Sequence, residues 1–306
     1  MVRVRTTSRL SPDERRAVLD FLHAAHALDS ARLNDHLQLD LAQGPRDGFL
    51  AALAEDHAGR LVGYGQASAG NDGHVIDAIV RSSLEGDSDA ATSSLLSALV
   101  AALPADGCIT WWAHSDDASR EAAARLGMQP DRTLLVMERT LPAPFTERTD
   151  TRPFRPGHDE AAWLEVNNAA FATHGEQGGW DLATLRQREA EEWFDPSGFL
   201  LHERDGRLAA FCWVKLHRHS EPPSGHIPSH TVGEIYVIAA HPDFHGLGLG
   251  RRLTVAGLQY MHQVGATSAM LYVDAGNLPA VRLYESLGFT VAHTNQSYLR
   301  PARSNR

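Results

Sequence analysis

The residues best placed to do chemistry crowd into Thr231–Arg252, which reads TVGEIYVIAAHPDFHGLGLGRR. Gly246, Gly248 and Gly250 alternate, Arg251 and Arg252 follow, and Leu253–Met261 continues with helical spacing. Alternate glycines leave no side chain between the backbone N–H groups and a docking ligand. A helix start adds unpaired N–H groups and the positive end of its dipole. Strand, glycine turn and helix start together make an anion cradle, and a pyrophosphate is the anion it suits. The dinucleotide fingerprint G-x-G-x-x-G does not fit, because the third glycine falls one residue early. The nucleotide P-loop does not fit either, since no Gly-Lys pair lies near. A glycine loop without a ligand is the alternative reading.

Two further residues carry chemistry beside this turn. Glu234 stands inside an apolar strand, on the face of Tyr236 and Ile238, where a carboxylate is expensive unless paired or useful. As a base it would take a proton from a substrate, and an α-amine serves as the example. An ordinary glutamate (about 4.3) and an α-amine (about 8) differ enough that direct transfer is uphill by about 5 kcal/mol. Burial of the acid, a relaying water, or loss of the proton to solvent before attack would bridge that gap. A Glu paired with a structural Lys or Arg is the competing reading. Tyr284 shares a helix face with Ala280, four residues earlier. Its phenol, about 10 in models, would protonate a departing thiolate of about 8.5 only in a concerted step or if perturbed; an aromatic core contact is the alternative. Lys215, at the end of an apolar strand, would hold a hydroxyl, balance Glu234, or sit in solvent.

The elements that must position these groups repeat along the chain. Ser11-Pro12-Asp13-Glu14 opens a helix with a capping box and a proline at its first position. Helix 31–41, strands 49–55 and 60–67, strand 74–80, helix 89–103, strand 109–113, helix 119–126 and strand 133–139 follow. The second half runs through helices 160–171 and 181–194, strands 199–203 and 207–216, strand 231–239, helix 252–264, strand 269–274, helix 279–287 and strand 290–294. A polar insertion, residues 217–230, holds His217, His219, His226 and His230, all expected in solvent. Gly59-Arg60-Leu61 matches Gly206-Arg207-Leu208, and Leu126-Gly127 matches Leu287-Gly288, so one α/β domain is duplicated in tandem. The expected division is 1–141, a Pro-rich linker 142–156, and 157–306. Asp77 then falls near the position of Glu234. After strand 74–80, the acidic Glu85–Asp89 replaces the glycines and arginines of the second copy, so the chemistry belongs to the second half.

Composition bounds the rest. Of the 306 residues, 28 are Lys or Arg and 38 are Asp or Glu, a net charge of −10 that argues against nucleic acid as partner. No apolar run reaches membrane-spanning length and no signal-peptide core opens the chain, so a cytoplasmic location without membrane contact is expected. Cys108 and Cys212 lie far apart without metal spacing, and no bound metal is expected.

The glycine turn resembles the Q/R-x-x-G-x-G/A turn with which GCN5-related N-acetyltransferases (GNAT enzymes) grip acetyl-CoA, with His245 where Gln or Arg is usual. Longer stretches, Phe171–Trp180, Trp193–Gly198, Gly233–Val237 and Leu271–Asn277, resemble the mycothiol synthase family of actinobacteria across the whole second half. That resemblance implies two tandem GNAT-type domains, each a mixed, mostly antiparallel central sheet flanked by helices, in an α/β (α+β) chain. It implies transfer of acetyl from acetyl-CoA to the cysteinyl amine of cysteinyl-glucosaminyl-inositol. Glu234 then matches the general base and Tyr284 the general acid. Ile238, Ala239 and Ala240 match the strand that pairs with pantetheine. His245, Gly246, Leu247, Gly248, Leu249, Gly250 and Arg251 match the pyrophosphate turn, and Asn277, Leu278, Pro279, Ala280, Val281 and Arg282 the later cofactor contact. Asp35, Glu176, Lys215, Glu234 and Tyr272 match the acceptor site, Asp35 being one carbon shorter than the expected Glu. Ala78, Ile79 and Val80 would be the remnant of a first pocket, empty or altered. A monomer is expected, since two copies already stand in one chain. Two other readings remain: an acetyltransferase for another small amine, and a non-catalytic acyl-CoA-binding module that kept the turn.

Overall fold

The capping box forms as its residues dictate: the Ser11 N–H donates to Glu14 Oε2 at 2.7 Å and the Glu14 N–H to Ser11 Oγ at 3.3 Å. It starts the first helix, α1 (Pro12–Asp29). The computed structural model describes residues 2–29, 33–43, 47–70, 73–81, 88–172, 178–218 and 231–302. Two compact units emerge: residues 1–133 with 295–306, and residues 134–294.

In unit 1, β1 (Arg3–Thr7), which the sequence pattern did not suggest, pairs with β2 (Leu50–Glu55). The sheet continues through β3 (Leu61–Gly70) and β4 (Gly73–Val80) to β5 (Cys108–His114), with α2 (Asp35–Gln43), α3 (Ser88–Ala102) and α4 (Asp117–Arg125) completing the unit. Among the described residues of this unit only β4 and β5 run parallel, over Gly73–Ile76 against Cys108–Trp111.

Unit 2 repeats this order. β7 (Arg152–Pro153), β8 (Phe199–Arg204), β9 (Arg207–Arg218), β10 (Thr231–Ala240) and β11 (Ser268–Asp274) form its sheet, with α5 (Glu160–Ala170), α6 (Leu182–Glu189), α7 (Leu249–Gln263) and α8 (Leu278–Ser286) around it. Its parallel pair is β10 with β11, Val232–Ile235 against Ser268–Leu271. The mostly antiparallel sheets flanked by helices are those the sequence leads one to expect.

The boundary between the units is not where composition puts it. β6 (Gln129–Thr140) ends the first repeat, yet its residues Leu134–Thr140 pair with β11 in unit 2. β12 (Thr290–Arg300) ends the second repeat, yet Asn295–Arg300 pair with β5 in unit 1. Each repeat's last strand thus completes the other unit's sheet, and the division near residue 141 gives way to Thr133 and Thr294. Hydrogen-bond partnership, which composition does not report, decides this.

One face of unit 2's sheet carries an aromatic core: Trp163, Phe199, Phe211 and Trp213 are fully buried, and Phe199 stacks on Trp213 at 4.2 Å. The other face receives α7 through Leu253, Leu258 and Met261. Two glycines allow α7 to lie close. A Cβ on Gly233 would come 2.5 Å from Met261 Cγ, and one on Gly257 2.8 Å from Cys212 Sγ. The approach holds the start of α7 near the end of β10, where the glycine turn must deliver it.

Candidate functional site

β10 is where the sheet of unit 2 opens. Its pairing with β9 shifts register between Ile235 and Val237, a bulge at Tyr236. Beyond Ile235, β10 leaves β11 and runs on to Ala240 paired with β9 alone. The two parallel strands therefore splay, and the backbone of Ile238, Ala239 and Ala240 faces the gap. A narrow amide-bearing chain laid there would pair with β10 as an added strand does.

The glycine turn sits at the mouth of that gap. Pro242–Phe244 makes one 3-10 turn, and Gly246 and Gly248 take φ of 78° and 71°, the left-handed region that a bulky L residue resists. Gly248 is the N-cap of α7. The helix thus begins at Leu249, three residues ahead of the sequence expectation, because the last two residues of the glycine run are themselves helical. The Arg252 N–H is the first to close a helical bond, onto Gly248 O at 3.2 Å. The N–H groups of Leu249, Gly250 and Arg251 are left for an anion. His245 Nε2 donates to Ala240 O at 3.2 Å and buttresses the turn. The Arg251 side chain turns aside: its guanidinium lies 5.2 Å from the Phe145 ring centre and 3.4 Å from Glu147. Arg251 therefore presents its backbone N–H at the turn and its charge elsewhere. Leu247 and Leu278 are left 43% and 56% exposed, apolar surface next to the cradle that a ligand would cover.

Glu234 is 7% exposed, and the partner that makes its burial tolerable is a histidine. His217 Nε2 lies 2.6 Å from Glu234 Oε2. This corrects the placing of His217 in a solvated loop: β9 continues through His217 to Arg218 and keeps it beside β10. His219, His226 and His230 lie outside the described residues. Lys215 sits directly across from Glu234 in the register but is not its ion-pair partner. Its ammonium lies 4.9 Å from the Trp193 ring centre and 5.3 Å from that of Tyr236, and it is buried. The strand-end solvent position is thereby excluded, and Trp193 emerges as a residue the spacing of charged groups could not have flagged.

Tyr284 is buried on α8 against Phe289, ring centres 5.9 Å apart. Burial, with the Cys212 thiol adding to it, raises its phenol well above the usual range. Asn277 Oδ1 accepts from the Ala280 N–H at 3.3 Å, so its first task is to cap α8. Leu278, Pro279 and Arg282 are exposed around it, with Ala280 and Val281 half-buried. Tyr272 is 47% exposed on β11. Glu176 lies outside the described residues, as does the Asp35 side chain; Asp35 itself opens α2.

Unit 1 holds the counterpart of this arrangement and uses it differently. Gln66 faces Asp77 across β3 and β4 as Lys215 faces Glu234. The Gln66 amide is spent on Leu37 O at 2.7 Å and Ser68 Oγ at 3.0 Å, and Tyr64 donates to its Oε1 at 2.8 Å. Asp77 accepts from the Asn34 N–H at 3.0 Å, just ahead of α2, and from the Ala78 N–H at 2.8 Å. Burial pushes its carboxyl up to about 7, against these two donors. Ala78, Ile79 and Val80 run on past the β4–β5 pairing, as Ile238–Ala240 do past β11. An unfolded aspartate titrates near 3.9. A raised folded value means stability that is full below about pH 4 and lost as pH rises through about 7. Asp77→Asn keeps the acceptor and should remove that loss. Denaturant midpoints at pH 4.5 and 8 should diverge in the parent protein and converge in the variant.

Comparison with known proteins agrees with this architecture. Residues 162–289 match the model of the Acetyltransferase (GNAT) family. Among solved structures, a tandem GNAT protein from the clavulanic acid biosynthesis pathway superposes with a TM-score of 0.67 over 100% of both chains at 15% identity. A GCN5-related N-acetyltransferase from Sphaerobacter thermophilus gives 0.64 at 18% identity over 99% of this chain and 97% of its own. At such identities the likeness is one of fold, and the fold is that of a tandem acetyltransferase. Sequence relatives go further. The mycothiol acetyltransferase of Thermobispora bispora is 40% identical over 94% of this chain and 96% of its own length. Those of Geodermatophilus obscurus and Streptomyces coelicolor are 40% and 38% identical, over 97% and 96% of this chain and 97% and 94% of their own. The chain belongs to the mycothiol acetyltransferase family: it is an acyltransferase, and its reaction is acetyl transfer to a small molecule in mycothiol biosynthesis. Among the described residues no helix is long and apolar enough to cross a membrane.

Proposed function

We propose that the donor is acetyl-CoA and the acceptor the cysteinyl amine of cysteinyl-glucosaminyl-inositol, in a cytoplasmic enzyme acting as a monomer. The observation that carries this reading is the splay of β10 from β11, with a buried carboxylate on one side and the glycine turn at its mouth. The pantetheine arm would pair with Ile238–Ala240. Its pyrophosphate would meet the N–H groups of Gly246–Arg251, and Asn277–Arg282 would flank the arm.

Glu234 takes one proton from the acceptor ammonium. The free amine nitrogen then bonds to the thioester carbonyl carbon. As the C–S bond breaks, Tyr284 gives the departing sulfur its proton, and the second proton of the nitrogen passes to the phenolate so formed, leaving Tyr284 protonated and one proton on Glu234 for release to solvent. The raised phenol favours a transfer that accompanies bond cleavage over one that precedes it. Lys215, held on two ring faces, would present its N–H donors to sugar hydroxyls, with Tyr272, Glu176 and Asp35 completing the acceptor site. Unit 1 is read as structural, its Asp77 spent on α2.

Assay of the purified protein with acetyl-CoA and a panel of amines tests the reading. The cysteinyl acceptor should exceed an aminoglycoside or a peptide N-terminus in kcat/KM by about 10⁴-fold, the margin of a site built on hydrogen bonds. Equal rates across the panel would leave the acceptor assignment without support, and no turnover with tight CoA binding would favour the binding module. Gly248→Val, which forces a β-branched residue into a left-handed conformation at the cradle, should weaken CoA binding at least about 10-fold by calorimetry. Unaltered affinity would place the diphosphate elsewhere.

A further inference from the structure

We propose that His217 is the positioning residue of Glu234. This rests on Glu234 being the base. The two side chains are 12% and 9% exposed, and Nε2 and Oε2 are 2.6 Å apart, within the range of a charge-assisted bond. Among the described residues His217 is the hydrogen-bond partner of Glu234, and Oε1 has none. A carboxylate free to rotate about its last torsion presents either oxygen in any plane. Anchoring Oε2 fixes that plane and leaves Oε1 as the oxygen that meets the ammonium.

Backbone geometry makes the arrangement firm. His217 pairs with Val232 in the β9–β10 register and Lys215 with Glu234, so His217 reaches Glu234 along the diagonal on one sheet face. Lys215, opposite Glu234 in the register, has its ammonium over Trp193 and Tyr236. His217 touches no reacting atom in this scheme and acts only through Glu234.

The test compares the parent enzyme with His217→Ala, His217→Gln, Glu234→Gln and the double variant His217→Ala/Glu234→Gln, under saturating acetyl-CoA with the cysteinyl acceptor. His217→Ala should lower kcat on the order of 10²-fold, the scale of a displaced catalytic group, while KM for acetyl-CoA holds. His217→Gln, whose amide nitrogen can stand where Nε2 does, should recover most of that loss. The double variant should be no slower than Glu234→Gln alone, because a positioning residue has nothing left to position. Should His217→Ala fail to fold, as judged by circular dichroism, His217→Asn replaces it, its amide falling short of Oε2. Equal losses from His217→Ala in both backgrounds, or no rescue by Gln, would overturn the assignment. Full activity of Glu234→Gln would instead remove the base, a separate failure that needs only the single variant to detect.

Discussion

Glu234→Gln is expected to lower turnover about 10²- to 10⁴-fold near neutral pH, the range of a lost general base, with acetyl-CoA affinity unchanged. The amide keeps the size of the carboxylate and can still meet His217, so the fold should survive. The cradle is made of backbone N–H groups from the glycine turn and α7, none of which involves this side chain. A change in donor affinity is therefore not expected, and calorimetry with CoA separates the two effects. The deficit should also narrow as pH rises. Without a base, only acceptor already deprotonated in solvent can attack, and that fraction climbs until the α-amine is passed at about 8. Parent and variant rates that coincide at pH 7 would mean that solvent removes the proton and that Glu234 merely partners His217.

Tyr284→Phe should lower kcat about 10- to 100-fold, less than loss of the base, since the phenol is asked to do less. Burial holds its proton firmly, so it is a weaker acid than an ordinary thiol and cannot hand the proton over in advance. In the proposed scheme it would stabilise charge that develops on sulfur only as the C–S bond lengthens. A leaving group that needs no proton should then relieve the variant. With acetyl-selenocoenzyme A, whose selenol is far more acidic, the gap between Tyr284 and Phe should shrink. A gap of the same size with both donors would assign the hydroxyl to packing beside Phe289 and Cys212. Because the phenol stays protonated throughout the working range, the parent enzyme should show no fall in rate attributable to Tyr284 up to pH 10.

Much of this site could be read from residue order because its parts are local. Gly246, Gly248 and Gly250 before a helical pattern carry their meaning in seven residues, and the structure adds only that the helix claims Leu249 and Gly250. A carboxylate at position 234 inside an apolar strand is conspicuous without coordinates, since burial of charge is costly enough to be rare by accident. The repeat, too, follows from landmarks that recur in order. Function at the level of the family followed from the same local stretches.

What pairs with what could not be read in this way. His217 looked like the first residue of a polar loop, because the histidines after it are polar and irregular; only the register of β9 against β10 carries it to Glu234. Lys215 could have held a hydroxyl, balanced Glu234 or sat in water, and it is the approach of Trp193 and Tyr236 that encloses it. The side chain of Arg251 belonged to the cradle by position and to Phe145 and Glu147 by geometry. The exchange of β6 and β12 has no local signature at all. A strand's hydrophobic pattern reports that one face is buried, not which neighbour satisfies its backbone, and that choice is made by contacts far apart in the chain. Sequence alone therefore determined the duplication, the glycine turn ahead of a helix and the buried acid, each written in adjacent residues. The tertiary structure decided the partner of that acid, the setting of the lysine and the ownership of the last strands, because each is a hydrogen bond or ring contact between segments that meet only after folding.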